Sequence, residues 1–279
     1  GPWSLVAAPA RAFPLPSALS EDGDDDAPLP DRAPTVLLRD GLRDGRAEEL
    51  GGLAQLLSAS ERGALLHDDE SAASAQRVHW LLAQGADPEA RNSAGDTPVH
   101  ALIARGGPAV PSLLALLRRG VSPAGAGGLA RFLAACHGDD GDDTNLEAVA
   151  LELIERGADP FARSPAGDPA LALAVRLDWT RVVERLLAIG VDLNARDSHG
   201  MSALHLAAAL GRDEMLKRLV AQGAAPDLLA ADGQTPLGVA LASGRRDLAD
   251  WLDWRGWPLP RRPLQAHDVP AAAVQRGVG

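Results

Sequence analysis

The chain has 279 residues, 46% of them hydrophobic but only 3% aromatic, with one cysteine and a formal net charge of −11. That balance argues against a nucleic-acid or anionic-membrane surface, because phosphate contacts need a basic face. Cys136, standing alone, excludes an internal disulfide framework and every cysteine-rich metal module. No apolar run approaches the ~20 residues of a membrane span, and no basic segment precedes an apolar one as in a signal peptide. A cytoplasmic monomer is therefore expected. Lysine occurs once, at Lys217, and tyrosine is absent, which reads as the coding bias of a GC-rich, bacterial genome. The start at Gly1-Pro2 without methionine predicts a fragment of a longer protein.

Residues 1–34 carry Glu21-Asp22-Gly23-Asp24-Asp25-Asp26 and the prolines Pro14, Pro16, Pro28 and Pro30. Such a stretch buries too little apolar surface to offset its ordering entropy, so a linker or capping arm is expected. The aspartates lack the alternating ligand spacing of a calcium loop and read as a solvated acidic tract. Helical patterning begins near Thr35. Leu50, Leu53, Leu56 and Leu57 form one apolar stripe, and Val78, Leu81 and Leu82 repeat it before the turn Gly85-Ala86-Asp87-Pro88. Next comes Gly95-Asp96-Thr97-Pro98-Val99-His100-Ala101-Leu102, whose offsets recur from Gly200 to Ala208 and in Gly233-Gln234-Thr235-Pro236-Leu237. Gly157, Gly190, Gly223 and Gly256 stand 33 residues apart. A fixed period of that size is the mark of a stacked solenoid.

These residues together resemble the ankyrin repeat, over roughly 62–258 and more weakly over 35–61. The fold class expected is an all-α solenoid of helix-turn-helix units with short β-turn-like fingers. A degenerate first repeat and about six further repeats would fill 35–258, with a Pro-rich tail over 259–279. Thr97 and Thr235 can cap the helices that follow, with Pro98 and Pro236 in the first turn. Gly106, Gly211 and Gly244 can end first helices in a left-handed conformation. His100 and His205 occupy the position where the family ties adjacent turns together. The spacing departs from the period at Gly85–Gly120 (35 residues) and Gly120–Gly157 (37 residues). Aligning Leu133–Gly138 with Leu206–Gly211 shortens the preceding turn by three and lengthens the following loop by seven. Arg131 then falls at a buried leucine position.

The resemblance implies that turn tips and the exposed edge of each first helix contact a partner. The residues so placed are Arg91, Asp96 and Arg105, then Arg163, Asp168 and Arg176, then Arg196, His199 and Met201, and finally Asp232 and Gln234. Arg91, Arg163 and Arg196 form one column, and guanidinium planes suit bidentate contact with carboxylates. The alternative is pairing with their own turn aspartates, as Arg196 could with Asp197. Trp251 and Trp254 align with outward positions of a second helix and Trp257 lies just beyond; the Pro-rich segment that follows could cover the three, or a partner could. Cys136 and His137 lie beside Asp139, Asp140, Asp142 and Asp143. As sequence neighbours they point about 100° apart on a helix, so this reads as an acidic loop suited to a basic partner, with cation binding left open. No Gly-rich phosphate loop, nucleophile elbow or paired histidines occur, so neither catalysis nor a cofactor is expected. Non-catalytic protein recognition through the concave groove, as one module of a larger bacterial protein, is the reading. Its rivals are an intramolecular spacer or regulatory platform and an anionic-ligand sensor using the arginine column.

Overall fold

Several helices of this chain start where a side chain can cap them. The Thr97, Ser202 and Thr235 hydroxyls accept from the backbone N–H three residues on, at His100, His205 and Gly238, which satisfies donors that a helix start leaves unpaired. Pro98 and Pro236 follow at once, where a missing N–H costs nothing. The computed structural model describes residues 33–125, 127–136 and 143–254. Its N-terminal helices are α1 (Pro34–Arg43), α2 (Gly51–Ala54), α3 (Ala59–Ala64) and α4 (Ala75–Ala83). Five pairs follow: α5 (Pro98–Arg105) with α6 (Val110–Arg118), α7 (Gly128–Cys136) with α8 (Asp143–Glu155), and α9 (Ala170–Leu177) with α10 (Thr180–Ile189), then α11 (Ala203–Leu210) with α12 (Asp213–Ala221) and α13 (Pro236–Ala242) with α14 (Arg246–Trp254). No strand forms among the described residues; one isolated antiparallel bridge joins Arg163 and Pro169.

First helices stack in series, α5 on α7, α7 on α9, α9 on α11 and α11 on α13, while α4 packs on α6 and α8 on α10. Ala172, Ala174, Ala207, Ala208 and Ala240 are buried at these contacts. Small side chains let backbones approach closely, and the buried apolar residues form one cluster running from Leu38 to Leu252. Each interface is also sealed by hydrogen bonds. The Ser112 hydroxyl donates to Ala72 O at 2.6 Å, and Arg156 Nη1 donates to Leu117 O at 2.7 Å. α10 has no cap of its own, since Trp179 precedes it. Glu147 of α8 supplies one, accepting from Arg181 N at 2.7 Å and Val182 N at 3.2 Å.

Two expectations about α5 and α7 change in detail. The burial order of α5, with Val99, Leu102 and Ile103 inward, recurs in α7 as Leu129, Phe132 and Leu133. Leu129, and not Arg131, therefore takes the buried leucine position. In this register the preceding turn is shorter than its counterparts by five residues, and the following connection is longer by nine. Helix stacking decides the register, because a wrong one would bury a guanidinium. Second, Gly106 has φ 69° and ψ −140°, outside the left-handed helical region that Gly211 adopts at φ 68° and ψ 33°. At the equivalent position after α9, Asp178 adopts φ 60° and ψ 34°, the only positive φ of a non-glycine residue among those described. Short polar side chains tolerate this conformation best after glycine. Trp251 is partly buried against the core, with Lys217 Nζ 5.7 Å from its ring centroid, so it is not the bare tryptophan its alignment suggests. Trp254 ends α14; Trp257, the Pro-rich tail and the loop at 139–142 lie outside the described residues.

The cap supplied across the stack gives a first test. Glu147→Ala should cost about 1 kcal/mol and Glu147→Gln markedly less, read as a lower urea midpoint with an unchanged denaturant slope.

Candidate partner-binding groove

The fingers between repeats share one closure. Asn92 N donates to Asp96 O and Gly95 N to Asn92 O; the same two bonds recur at Ser164/Asp168, Asp197/Met201 and Ala230/Gln234, all between 2.8 and 3.0 Å. The residue opening each turn also locks it with its side chain. Asn92 Oδ1 accepts from Ala94 N and Asp96 N, the Ser164 hydroxyl from Asp168 N, and Asp197 Oδ1 from His199 N and Met201 N. Ala230 has no such group, and Asp232 Oδ1 accepts from Gln234 N at 3.1 Å instead. Asp232 is therefore a lock within its own finger, and Asp168 is one between fingers, its Oδ1 accepting from Ser198 N of the next.

The arginine column is tied into these fingers. Arg91 Nη1 donates to Gly95 O at 2.6 Å. Arg163 Nη1 donates to Gly167 O in its own finger and to Arg196 O in the next, both at 2.7 Å. Arg196 donates from Nε and Nη2 to Leu229 O at 3.0 and 2.8 Å. Arg196 does not pair with Asp197, contrary to the sequence alternative: Arg176 of α9 does, Nη2 to Oδ2 at 2.8 Å, and the Asp197 side chain is fully buried. Because the column's acceptors are neutral carbonyls, its three arginines stay exposed cations.

Along the first helices, arginines within them or just after them reach neighbouring repeats. Arg105 pairs with Asp69 and donates to His67 O. Arg131 Nη1 meets Asp96 Oδ1 at 3.2 Å. Arg212 faces Asp178 at 3.6 Å and donates to Arg176 O, and Arg245 Nε donates to Ala209 O. Sequence reasoning missed Arg212, Arg245 and Asp178. A signal existed, since Arg212 and Arg245 are 33 apart, each just after a turn glycine. His199 is exposed and Met201 half-buried. Gln234 is only 3% exposed, so its side chain offers a partner no surface; its turn folds that residue inward.

Burial and bonding set the charge states. Burial works against ionised Asp197, yet the Arg176 bond and the Met201 and His199 amides outweigh it and hold the carboxyl below its ordinary 3.8. Burial lowers His205 from 6.5, partly opposed by its bond to Gln234 O at 2.8 Å. His205 thus ties two fingers as a neutral imidazole. His100 is also lowered, first by burial and then by the Arg131 charge. No group of three or more metal-ligating side chains converges among the described residues. No helix among them is long and apolar enough to cross a membrane.

With this geometry in hand, the family model described as ankyrin repeats matches residues 132–230 and 171–253, in 3 copies. The same capped helix pairs extend N-terminally from the matched stretch to Pro98. No curated protein matches the chain.

Asp197 is the residue whose loss the groove should feel most. Asp197→Ala unpairs two finger amides and Arg176, at a cost of about 2–4 kcal/mol. Asp197→Asn keeps the finger lock, as Asn92 does, and costs less. The stabilising effect of Asp197 is present above its unfolded pKa and fades as pH falls through its lower folded value. Urea titrations between neutral and acid pH should therefore show a flatter acid limb for Asp197→Asn than for wild type.

Proposed function

We propose, for a chain whose residues 132–253 are ankyrin repeats, that it recognises a folded protein partner through the concave face of fingers and first helices. Ankyrin repeats are generally protein–protein interaction modules and typically not enzymes. The observation that supports the groove most directly is the contrast between the two faces. The second helices carry charges that neutralise one another, as in Arg156–Glu152 at 3.1 Å and Arg218–Glu184 at 2.7 Å, the behaviour of a solvated back. Beside ion pairs of their own, the first helices also expose small or apolar residues near their ends, Ala104, Leu210 and Ala242, of which Leu210 is 38% exposed. Such a floor, edged by arginines held in place by finger carbonyls, suits a large and rigid contact.

Preorganisation supports the same reading. A finger locked by its own side chain and by the next finger loses little freedom on binding, so less of the contact energy is offset. The anionic-ligand alternative is weaker, because Arg163 and Arg196 would have to leave carbonyl partners to enclose a small anion. Membership of a larger bacterial protein remains part of the proposal.

Affinity capture with the full chain and two charge variants tests it. Ala104→Glu/Leu210→Glu/Ala242→Glu should weaken a captured partner by about 2 kcal/mol or more at an unchanged melting temperature, since all three positions are exposed. Glu155→Arg on the back should retain it. Retention by the first variant together with loss in the second would overturn the groove.

A further inference from the structure

Leaving aside the irregular repeat of α7, the chain departs from its own repeat pattern at three positions around α9. Four residues after their turn glycines, the other repeats carry Glu89, Asn194 and Asp227, where this one carries Phe161, 65% exposed. Pro169 stands where Thr97, Ser202 and Thr235 cap their helices. Val191 stands where the other turns hold Ala86, Ala158 and Ala224. Each change puts a larger or more apolar side chain in place of a small or polar one. All three residues line a single cavity of about 200 Å³, with Leu171 also in its wall. That volume lies below the ~300 Å³ of pockets that take whole small molecules and leaves room for one side chain. A lone surface phenylalanine is ordinary; one that walls a cavity together with two other such changes is not.

Phe161 also leaves a backbone donor open. One repeat later, Asn194 Oδ1 accepts from Ala225 N at 2.9 Å, and at the start of the stack Asp87 N donates to Ala59 O at 2.9 Å. The equivalent amide here is Asp192 N, two residues after Gly190, and the phenyl ring of Phe161 offers it no acceptor. Asp192 N donates to no other group among the described residues, and Asp192 lines the cavity. We propose that a partner polypeptide seats one leucine-sized apolar side chain in this cavity against Phe161. One of its main-chain carbonyls accepts from Asp192 N–H, as the Asn194 amide oxygen does from Ala225 N. The proposal rests on the reading of the chain as a protein-binding module and adds a contact at the base of a finger. Charge selects a neutral occupant. The two charged walls, Arg163 and Asp192, have opposite signs, and both are engaged. Arg163 donates to Gly167 O and Arg196 O, and Asp192 Oδ1 accepts from Asn194 N. A charged side chain would lose its water here without gaining a free counter-charge, whereas an apolar one buries its surface against Phe161 and Val191. Arg163 also belongs to the arginine column, so the cavity adjoins the face proposed for the partner.

The test uses the full chain and the capped peptide acetyl-Gly-Leu-Gly-amide, with acetyl-Gly-Ala-Gly-amide as control. Two NMR signals report the contact: the Asp192 backbone amide, and the Phe161 ring in protein labelled with 4-fluorophenylalanine, where only 3 phenylalanines need resolving. The Leu peptide should shift both saturably in the millimolar range, and the Ala peptide should bind about tenfold more weakly. Phe161→Asn, checked for an unchanged melting temperature, restores a polar residue and should abolish the peptide's effect on the Asp192 amide. Equal response to both peptides, no saturable shift by about 50 mM, or an undiminished response in Phe161→Asn would each overturn the proposal. A Phe161 shift that grows with protein concentration in the absence of peptide, with a dimer in sedimentation, would overturn it in favour of a second copy. None of these results bears on capture through Ala104, Leu210 and Ala242, so a failed cavity and a failed groove are distinguishable.

Discussion

An arginine fork donating to finger carbonyls is the contact on which the finger row depends. Arg163 bridges its own finger and the next, and Arg196 repeats the reach to Leu229 O one period later. In a solenoid each unit touches only its neighbours, so no distant contact can compensate for a loose interface. Finger carbonyls have no sheet in which to find partners, and leaving such groups unpaired is costly. The guanidinium satisfies them and fixes the spacing of successive fingers in one step. Lysine could not replace it, because a point charge on a flexible stem lacks the fork. The single lysine, Lys217, sits instead on the back, near Trp251.

The same economy governs the buried charges. Asp197 remains ionised inside the stack because a guanidinium and two amides converge on it; His205 remains neutral because burial disfavours its charged form, against the opposing pull of the Gln234 carbonyl. Both choices favour the folded state near neutrality and weaken it in acid. Burial alone would have raised the carboxyl, so the finger geometry decides its state. Groove rigidity and groove charge therefore come from the same few hydrogen bonds.

The irregular repeat shows which part of the unit tolerates change. α7 keeps its place between α5 and α9, with Leu129, Phe132 and Leu133 buried, although the turn before it is shortened and the connection after it lengthened. Stacking of first helices carries the core, so it is held fixed. Fingers and inter-helix connections lie outside that core, where length can vary at small energetic cost. The variation opens the finger row beside Arg131.

What the sequence by itself determined was the repeat, because caps, prolines and turn glycines act locally and recur every 33 residues. Thr97, Pro98, Ser202 and Thr235 do in the fold what their residue types require, wherever the rest of the chain lies. Only the tertiary structure decided the register of α7, the partner of Arg196 and the inward placement of Gln234. Each depends on a neighbour a full repeat away, and local spacing holds no information about which of two acceptors a long guanidinium reaches. The arginine column was thus legible as a column. Its attachment to carbonyl oxygens of the next finger was not, because those atoms belong to every residue type alike.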